Sequence, residues 1–398
     1  MDIPDIDTSQ SGNSVEDIPG IDISQPDSND LPIELDTPRL DESAACDPDL
    51  DVPLDSQATS GDDCPASELR DVAATIELPQ LQIAQLYIDH LRSASLDSSG
   101  MHADDVNDLR NPGQQYTLED PSPLLRSVRH FINNLSASRK HYELMRTIEH
   151  LHRPEDQLLS FDQVKRRVRW LSGIVPVEHD MCINSCLAYT GPRETLDTCP
   201  RCGEPQYCLG TTKPQKRFTT VPIGPVIQAL YSSLEVSESM HYLENKLTEN
   251  LAHARLNGGI LDVYDDTASG QALIDAWDEG RFKSGDVALQ FSIDGAQLRA
   301  NRPSEAWFFI WVIHNLPPNM RYKKAYVIPG AIIPGPKKPW DIDSYMFPSL
   351  YHIAALQREG LAIYNVSLGT LIRSCPLVVF GTADMMNSMY SHQGRSQG

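Results

Sequence analysis

The stretch that decides the fold is Val287-Ala288-Leu289-Gln290-Phe291-Ser292-Ile293, a β-prone run that is followed at once by Asp294. A second run, Leu377-Val378-Val379-Phe380-Gly381-Thr382-Ala383, has the composition of a buried strand and is followed by Asp384. The two strands therefore share one feature, because each ends in a carboxylate. Everything else about the fold depends on how they are connected.

Two further strand patterns and one helix lie between these runs. Ala306–Ile313 is almost wholly apolar, Ala325–Ile333 is the next strand pattern, and a helix follows from about Ser344 to Gln357. Short connections predict that the first three strands form an antiparallel meander. The helix permits a crossover that returns the last strand parallel to the first. The pattern therefore predicts a mixed α/β fold with Asp294 and Asp384 side by side.

Adjacent carboxylates repel each other, and Mg²⁺ shared between them relieves that repulsion. Sites of this kind activate a water or a 3′-hydroxyl and stabilise the leaving oxygen in phosphodiester chemistry. Asp294 and Asp384 are therefore the candidate catalytic and magnesium-binding residues. The alternative is that both are ordinary turn residues at strand ends.

Four cysteines are clustered as Cys182-x3-Cys186 and Cys199-Pro200-Arg201-Cys202-Gly203, with twelve residues between the two pairs. Zinc takes four thiolates tetrahedrally, and short loops let paired sulfurs face one ion. The spacing predicts a structural zinc, with no open position for catalysis. Four buried free cysteines are the alternative, and His179 and Cys208 are close enough in sequence to be substitute ligands.

Charge is distributed unevenly along the chain. The net charge of −22 comes from residues 1–120, which hold 28 acidic and 4 basic residues, whereas the rest is close to neutral. Residues 1–75 are rich in Asp, Ser and Pro, and we expect them to be disordered. An imperfect repeat there, Ile3–Gln10 against Ile18–Gln25, is either a docking motif for a protein partner or a solvated tail. The low pI does not exclude nucleic-acid binding by the remainder.

Apolar residues recur at helical spacing from Pro121 onward, and a third helix spans Phe161–Leu171 with Ser160 as its N-cap. One face of this helix carries Lys165, Arg166, Arg167 and Arg169. Such a face can bind a phosphate backbone, although a solvated helix face is equally common.

These patterns divide the chain into five segments. We predict an acidic and mostly disordered tail over 1–120, followed by a partly basic helical segment over 121–175 and a zinc-ribbon-like module over 176–215. A helical connector over 216–285 and an incomplete mixed sheet over 286–398 complete the division. The start Met1-Asp2-Ile3-Pro4-Asp5 is not typical of a secretory signal. The longest apolar run is Ala306–Ile313, shorter than a bilayer requires. A soluble nuclear or cytoplasmic protein is the expected class.

Several longer motifs bear a family resemblance. Phe161–Arg166, Met181–Pro192, Cys199–Glu204, Phe291–Leu298 and Ile333–Pro339 resemble the fungal CACTA-related transposases of the Plavaka type, in the Kyakuja-Dileera-Zisupton group. Three shorter stretches resemble the same family: Trp311–Ile313, Arg321–Lys324 and Ala354–Leu361. The resemblance covers about residues 155–385 and leaves the acidic tail unexplained.

The resemblance implies an RNase H-like core that cuts and joins DNA with a D-D-E triad on Mg²⁺. It assigns Asp294 to the first acid and Asp384 to the second, and it adds Lys323, Lys324, Lys337 and Lys338 to the nucleic-acid-binding candidates. No residue of this sequence matches the third acid, and Met385–Tyr390 departs from the family pattern. The expectation is a truncated or decayed transposase with little cleavage activity. The alternative is a non-enzymatic, zinc-containing protein that binds nucleic acid or a protein partner.

Overall fold

The computed structural model describes residues 79–113, 123–155, 157–297, 305–335 and 338–383. The tail predicted to be disordered, residues 1–75, lies outside these ranges. So do Asp384 and Lys337, two of the candidate site residues.

A six-stranded mixed sheet forms the centre of the described structure. Its central part is the meander of β3 (Ala288–Gln297), β4 (Glu305–Ile313) and β5 (Ile328–Pro334), whose neighbours pair antiparallel. The apolar, β-branched and aromatic residues of these runs suit a pleated surface that is covered on both faces. The predicted meander is confirmed.

The last strand, β8 (Leu377–Ala383), pairs parallel with β3, so the predicted crossover is also confirmed. The chain between them contains the helix α11 (Ile342–Glu359) and a separate hairpin of β6 (Leu361–Asn365) and β7 (Thr370–Ser374). Gly360 ends α11 with φ +73°, a conformation that glycine adopts without strain.

The other end of the sheet was not predicted. β1 (Val177–Met181) and β2 (Lys216–Thr220) form a hairpin, and β2 pairs with β5, which gives the strand order β1-β2-β5-β4-β3-β8. The cysteine segment is the long loop of this hairpin. Its two ends are therefore held by the same sheet that carries Asp294.

Helices cover both faces of the sheet. One face packs against α11 and α6 (Ile223–Tyr231) through a core that includes Phe309, Trp311 and Tyr345. The opposite face, near the start of β3, packs against α8 (Tyr242–Leu256) and α9 (Gln271–Asp278), around Phe282. The result is a three-layer arrangement of helices, sheet and helices.

The segment predicted as a helical connector, residues 216–285, begins with β2 and then contains α6, α7 (Leu234–Ser239), α8 and α9. The short helix α10 (Pro318–Arg321) follows β4.

Part of the segment predicted to be a mostly disordered tail is helical. α1 (Pro79–Arg92) and α2 (Ala103–Arg110) bury Tyr87, Val106 and Leu109, and the short turn between them buries Leu96. The segment predicted to be mostly disordered therefore includes two packed helices within residues 79–110. The first of them coincides with Leu81–Leu91, a short stretch whose apolar residues recur with a helical period.

The predicted helical segment is confirmed as α3 (Pro123–Asn133), α4 (Arg139–His152) and α5 (Phe161–Ser172). Phe131, Tyr142 and Phe161 pack together with ring centroids 5.4 to 6.3 Å apart. Ser160 caps α5 in a capping box with Gln163, as the sequence predicted for the N-cap. Among the described residues, no helix has the length and apolar character needed to span a membrane.

Candidate functional site

The two cysteine pairs lie on two similar turns. In the first turn the N–H of Cys182 donates to the carbonyl of Leu187 at 2.9 Å, and in the second the N–H of Cys199 donates to the carbonyl of Glu204 at 2.8 Å. Both bonds span five residues, so each turn closes around its pair of sulfurs. Each turn has a residue with positive φ, Ser185 at 61° and Gly203 at 75°.

The non-glycine residue in this conformation is held by contacts to the sheet. The Ser185 hydroxyl donates to the carbonyl of Pro334 at 3.0 Å and accepts from the Lys216 ammonium at 2.9 Å. A left-handed serine costs about 1–2 kcal/mol, which such bonds offset. The first turn is therefore fixed to β5 and β2.

The four sulfur atoms form a compact group. All lie within 4.8 Å of one another, and Cys182 and Cys202 are 3.5 Å apart. A tetrahedral zinc with bonds of about 2.3 Å requires sulfurs about 3.8 Å apart, so the separation fits that metal. Cys182 and Cys199 are buried, Cys186 is partly buried and Cys202 is exposed. The four cysteines could therefore hold one metal ion, and four thiolates favour zinc.

Protonation of the thiols is uneven across this cluster. Burial raises the pKa of the Cys186 thiol well above its usual range and that of Cys199 to about 11. Burial also acts to raise the pKa of Cys202, but hydrogen bonds from the Glu204 N–H, the Asn184 amide and neighbouring thiols lower it to about 7. Without a metal, therefore, Cys202 ionises more readily than Cys186 or Cys199. A bound cation would favour the thiolate at every position.

The cluster is anchored to the N-terminus of α11. The backbone N–H groups of Trp340 and Asp341 both donate to the carbonyl of Cys186 at 2.9 Å. Asp341 also accepts from the guanidinium of Arg193 at 3.0 Å, in a pair that is mostly buried. A metal in the cluster would therefore stabilise the start of α11 as well as its own loop.

Neither substitute ligand belongs to the cluster. His179 lies on β1, and its Nε2 is 2.8 Å from the Thr220 hydroxyl on β2. Burial lowers the pKa of His179 to about 4. Cys208 is exposed, in a separate turn closed by its N–H and the carbonyl of Lys213. The suggestion of substitute ligands finds no support in this arrangement.

Asp294 lies inside β3, whereas the sequence pattern had placed it just beyond the end of that strand. It pairs with Phe308 in the antiparallel ladder, and its carboxylate is exposed and accepts from the N–H of Gly295 at 2.7 Å. Glycine is needed at 295 because a Cβ there would lie 2.9 Å from the Trp307 ring. On the other side, the parallel ladder with β8 ends with Ile293 opposite Ala383.

A buried polar network connects this ladder to the helical layer behind it. Gln290 donates to the Thr382 hydroxyl at 3.3 Å across β3 and β8, and its amide oxygen is 3.0 Å from Nε2 of His314. Nδ1 of His314 lies 2.8 Å from the Arg321 guanidinium, which is fully buried and paired with Asp266. Because Arg321 can only donate, His314 accepts at Nδ1 and donates from Nε2 to Gln290.

Sequence reasoning did not identify this network. Its members are Gln290, Thr382, His314, Arg321 and Asp266, which are separated by up to 116 positions in sequence. The polar residues Gln290 and Thr382 lie inside apolar runs of the sequence, and they were the local signal from which a buried network could have been predicted.

The basic face of α5 is fully presented to solvent. Lys165, Arg166, Arg167 and Arg169 are all exposed, and none of them forms an ion pair with a described carboxylate. The Arg167 guanidinium lies 6.0 Å from the ring centroid of Trp170, which is 56% exposed. Unpaired cations beside an exposed indole are available to a nucleic acid.

The remaining basic candidates lie elsewhere. Lys323 and Lys324 are exposed after α10, and the ammonium of Lys338 lies 5.2 Å from the ring centroid of Trp307. Trp307 pairs with Gly295 across β3 and β4, which brings Lys338 to the strand end that carries Asp294.

Comparison with known proteins adds no assignment, since no protein-family model matches the chain and neither does any curated protein.

Proposed function

We propose that this chain is a transposase-like nucleic-acid-binding protein with an RNase H-like core. In this proposal Asp294 and Asp384 form a weak Mg²⁺ site, the four cysteines hold a structural zinc, and the basic face of α5 binds DNA. The family resemblance assigns two carboxylates of this sequence and matches no third, and we expect residues 1–398 to bind DNA with little or no strand cleavage.

The observation that carries the proposal is the pairing of β3 and β8. The family resemblance implies an antiparallel meander whose first strand lies parallel to a later strand, reached by a crossover that contains a helix, and β3 and β8 are related in this way. The parallel ladder ends with Ile293 opposite Ala383, and the next residue in each strand is an aspartate. One more pair in the same register would put both carboxylates on one face of the sheet.

The described surface also supports nucleic-acid binding. The four bases of α5 fall within twelve residues of β1, the strand that leads into the cysteine segment. Because none of them is neutralised by a described carboxylate, each can displace a counterion from a phosphate backbone. That displacement gives an affinity that falls steeply with salt.

The zinc proposed here has a structural task. The cysteine loop joins β1 to β2 and contacts α11 through the carbonyl of Cys186. A metal that fixes this loop would stabilise the β1–β2 end of the sheet, and the basic helix α5 immediately precedes β1 in the chain. Four thiolates leave no coordination position for a substrate.

Duplex DNA binding across a salt series tests the proposal. The variant in which Lys165, Arg166, Arg167 and Arg169 are all replaced by Gln should bind more weakly, and its slope of log affinity against log salt should fall by up to about 3.6. A control of equal charge change replaces four exposed bases elsewhere, namely Lys140, Arg153, Lys213 and Lys283. Equal losses in both variants would reduce the effect to net charge and contradict an interface on α5.

The second candidate, a non-enzymatic binding protein, is favoured by the same exposed bases. The two candidates differ at Asp294, because only the transposase-like one needs a metal there. Urea unfolding with and without millimolar Mn²⁺ separates them. Stabilisation of the parent chain by Mn²⁺ that is lost in Asp294→Asn would support the transposase-like candidate, and DNA binding without any effect of the metal at Asp294 would favour the second candidate.

A further inference from the structure

Two tryptophan side chains are exposed on the described surface, and each lies beside an arginine. Trp170 is 56% exposed on α5, and Trp340 is 47% exposed just before α11. The guanidinium carbon of Arg167 lies 6.0 Å from the ring centroid of Trp170, and that of Arg201 lies 5.8 Å from the ring centroid of Trp340. The other three tryptophans of the chain are buried or partly buried. An indole that stays in water beside a cation is typical of a binding surface.

Trp340 is held at the surface through its backbone. The N–H groups of Trp340 and Asp341 both donate to the carbonyl of Cys186 at 2.9 Å, in the first cysteine turn. Pro339, the preceding residue, is buried. The backbone at position 340 is therefore fixed to the cysteine cluster, and a smaller side chain there would keep the same hydrogen bond.

The two cysteine turns supply the rest of this surface. Arg201 lies in the second turn, is exposed and forms no ion pair with a described carboxylate. Ile183, in the first turn, is 40% exposed. Zinc knuckles are among the modules that bind single-stranded nucleic acid, and unpaired bases stack on aromatic rings and on guanidinium planes. The indole of Trp340 and the guanidinium beside it thus offer an unpaired base two flat surfaces.

A second cation–aromatic pair connects this surface with Asp294. Lys338, two positions before Trp340, is exposed, and its ammonium lies 5.2 Å from the ring centroid of Trp307. Trp307 pairs with Gly295, the neighbour of Asp294 in β3. A nucleic-acid strand stacked at Trp340 can therefore place a phosphate on Lys338, beside the end of β3 that carries the candidate metal ligand.

Carboxylates limit the attraction of this surface for phosphate. Asp341 is paired with Arg193 and mostly buried, but Glu204, in the second cysteine turn, and Asp343, in the first turn of α11, are exposed. Because the exposed cations of this surface do not outnumber its exposed carboxylates, phosphate contacts alone would not hold a strand here. Stacking on the indole must contribute most of the affinity of this surface.

We infer that Trp340 and Arg201 bind an unpaired base of single-stranded DNA, without preference among the bases. Stacking uses the flat face that every base has, and in a duplex the neighbouring bases cover that face. Stacking of one base changes an affinity by about 5- to 150-fold, which is less than the roughly thousandfold that millimolar binding requires on a 1 M scale. A free nucleotide would therefore not be held, and the strand must also be bound elsewhere. The inference deepens the proposed function and rests on it here, since the basic face of α5 is the second binding surface.

Fluorescence anisotropy with labelled oligo(dT), and with a duplex of equal length, tests the inference on the full chain. Trp340→Ala should weaken binding of the single strand about tenfold and leave binding of the duplex within about twofold of the parent. Trp340→Phe should keep most of the affinity, because a phenyl ring still stacks. The zinc content and the urea midpoint of Trp340→Ala should equal those of the parent, since the backbone hydrogen bond to Cys186 remains.

Two further variants locate the effect. Tyr264→Ala is the matched control, because Tyr264 is 67% exposed and lies away from the cysteine turns in the sequence. Arg201→Gln removes the cation without altering the indole, and it should weaken single-strand binding about two- to fivefold. Single-strand affinity that is unchanged in Trp340→Ala, or an equal loss in Tyr264→Ala, would overturn the inference.

The two proposals fail in different ways. Duplex binding that depends on the bases of α5, together with single-strand binding that is unaffected by Trp340→Ala, would leave the proposed function standing and overturn the inference. Single-strand binding that depends on Trp340, together with duplex binding that does not depend on α5, would support the inference and contradict the proposed interface on α5.

Discussion

Arg321 and Asp266 form a bidentate ion pair, in which the two terminal nitrogens of the guanidinium lie 2.9 and 2.8 Å from the two carboxylate oxygens. Arg321 follows β4 and is fully buried, whereas Asp266 caps a turn that precedes α9. The pair thus joins the sheet to the helical layer on its second face. The same guanidinium donates to the carbonyl of Leu316 at 2.8 Å, which satisfies a further N–H group.

Breaking this pair should strongly destabilise the protein. Arg321→Met leaves the Asp266 carboxylate without a charged partner and with hydrogen bonds from only the Tyr242 and Thr267 hydroxyls among its described side-chain partners. The loss of one partner of a buried pair costs about 3–5 kcal/mol. Urea unfolding followed by circular dichroism gives the change. The control is Arg255→Met, because Arg255 pairs with Asp278 at the surface, where a pair contributes about 1 kcal/mol or less. Equal losses in the two variants would show that burial does not distinguish the pairs.

Zinc should be bound by the four cysteines and by no others in the described ranges. Elemental analysis of the purified chain should give about one zinc, and Cys199→Ser should remove most of it, since three thiolates hold the metal far less well. Cys208→Ser is the matched control, because Cys208 is exposed and outside the cluster. A metal-free chain that unfolds at the same urea concentration as the parent would contradict a structural role.

Stability should fall as the pH drops from about 6.5 to about 4. His352 is buried and its pKa is lowered to about 4, so the unfolded chain takes up a proton in this range that the folded chain does not. The contribution of this residue to the free energy of unfolding is therefore fully present above about pH 6.5 and is lost on acidification, by up to about 3 kcal/mol. His179 and His314, whose pKa values are also lowered to about 4, add to the loss.

Substitution of one histidine isolates its share of this effect. Nε2 of His352 accepts from the N–H of Gly224 at 3.1 Å, and His352→Gln keeps an acceptor there without a titrating group. The free energy of unfolding of this variant should fall less steeply between pH 6.5 and 4 than that of the parent, and the difference in slope should correspond to the uptake of at most one proton. A slope that is unaltered in His352→Gln would refute the assignment.

The central sheet was predictable because its strands are long apolar runs with clear ends. β3, β4 and β8 each carry enough β-branched and aromatic residues to stand out, and the short connections of the meander then limit the topology. β1 and β2 were missed because Val177–Met181 and Lys216–Thr220 are only five residues long, mostly polar and without an alternating apolar pattern. Their strand character comes from pairing with each other and with β5, which no local pattern contains.

Some candidate site residues were likewise predictable from the local sequence, and others were not. Cysteine spacing was sufficient to identify the four sulfurs that lie together, since the turns are local and the proline and glycine of the second turn shape it. The pair of Arg321 and Asp266 joins elements 55 positions apart, and nothing in either neighbourhood specifies the other. Exposed bases on α5 were predictable from helical periodicity.

The last prediction concerns Asp294 and Asp384. Ile293 and Ala383 are opposite each other in a parallel ladder, and an aspartate follows each in the sequence. If the register continues, both carboxylates lie on one face and repel each other, and Mg²⁺ or Mn²⁺ binds weakly between them. Replacement of either aspartate by Asn should then be neutral or slightly stabilising without metal, because it removes the repulsion, and it should abolish the stabilisation that Mn²⁺ gives to the parent. Urea unfolding with and without millimolar Mn²⁺ measures both effects, and Asp262→Asn, an exposed aspartate before α9, is the control. A carboxylate separation above about 8 Å in a crystal structure, or Mn²⁺ stabilisation that persists in Asp294→Asn, would rule out a shared site.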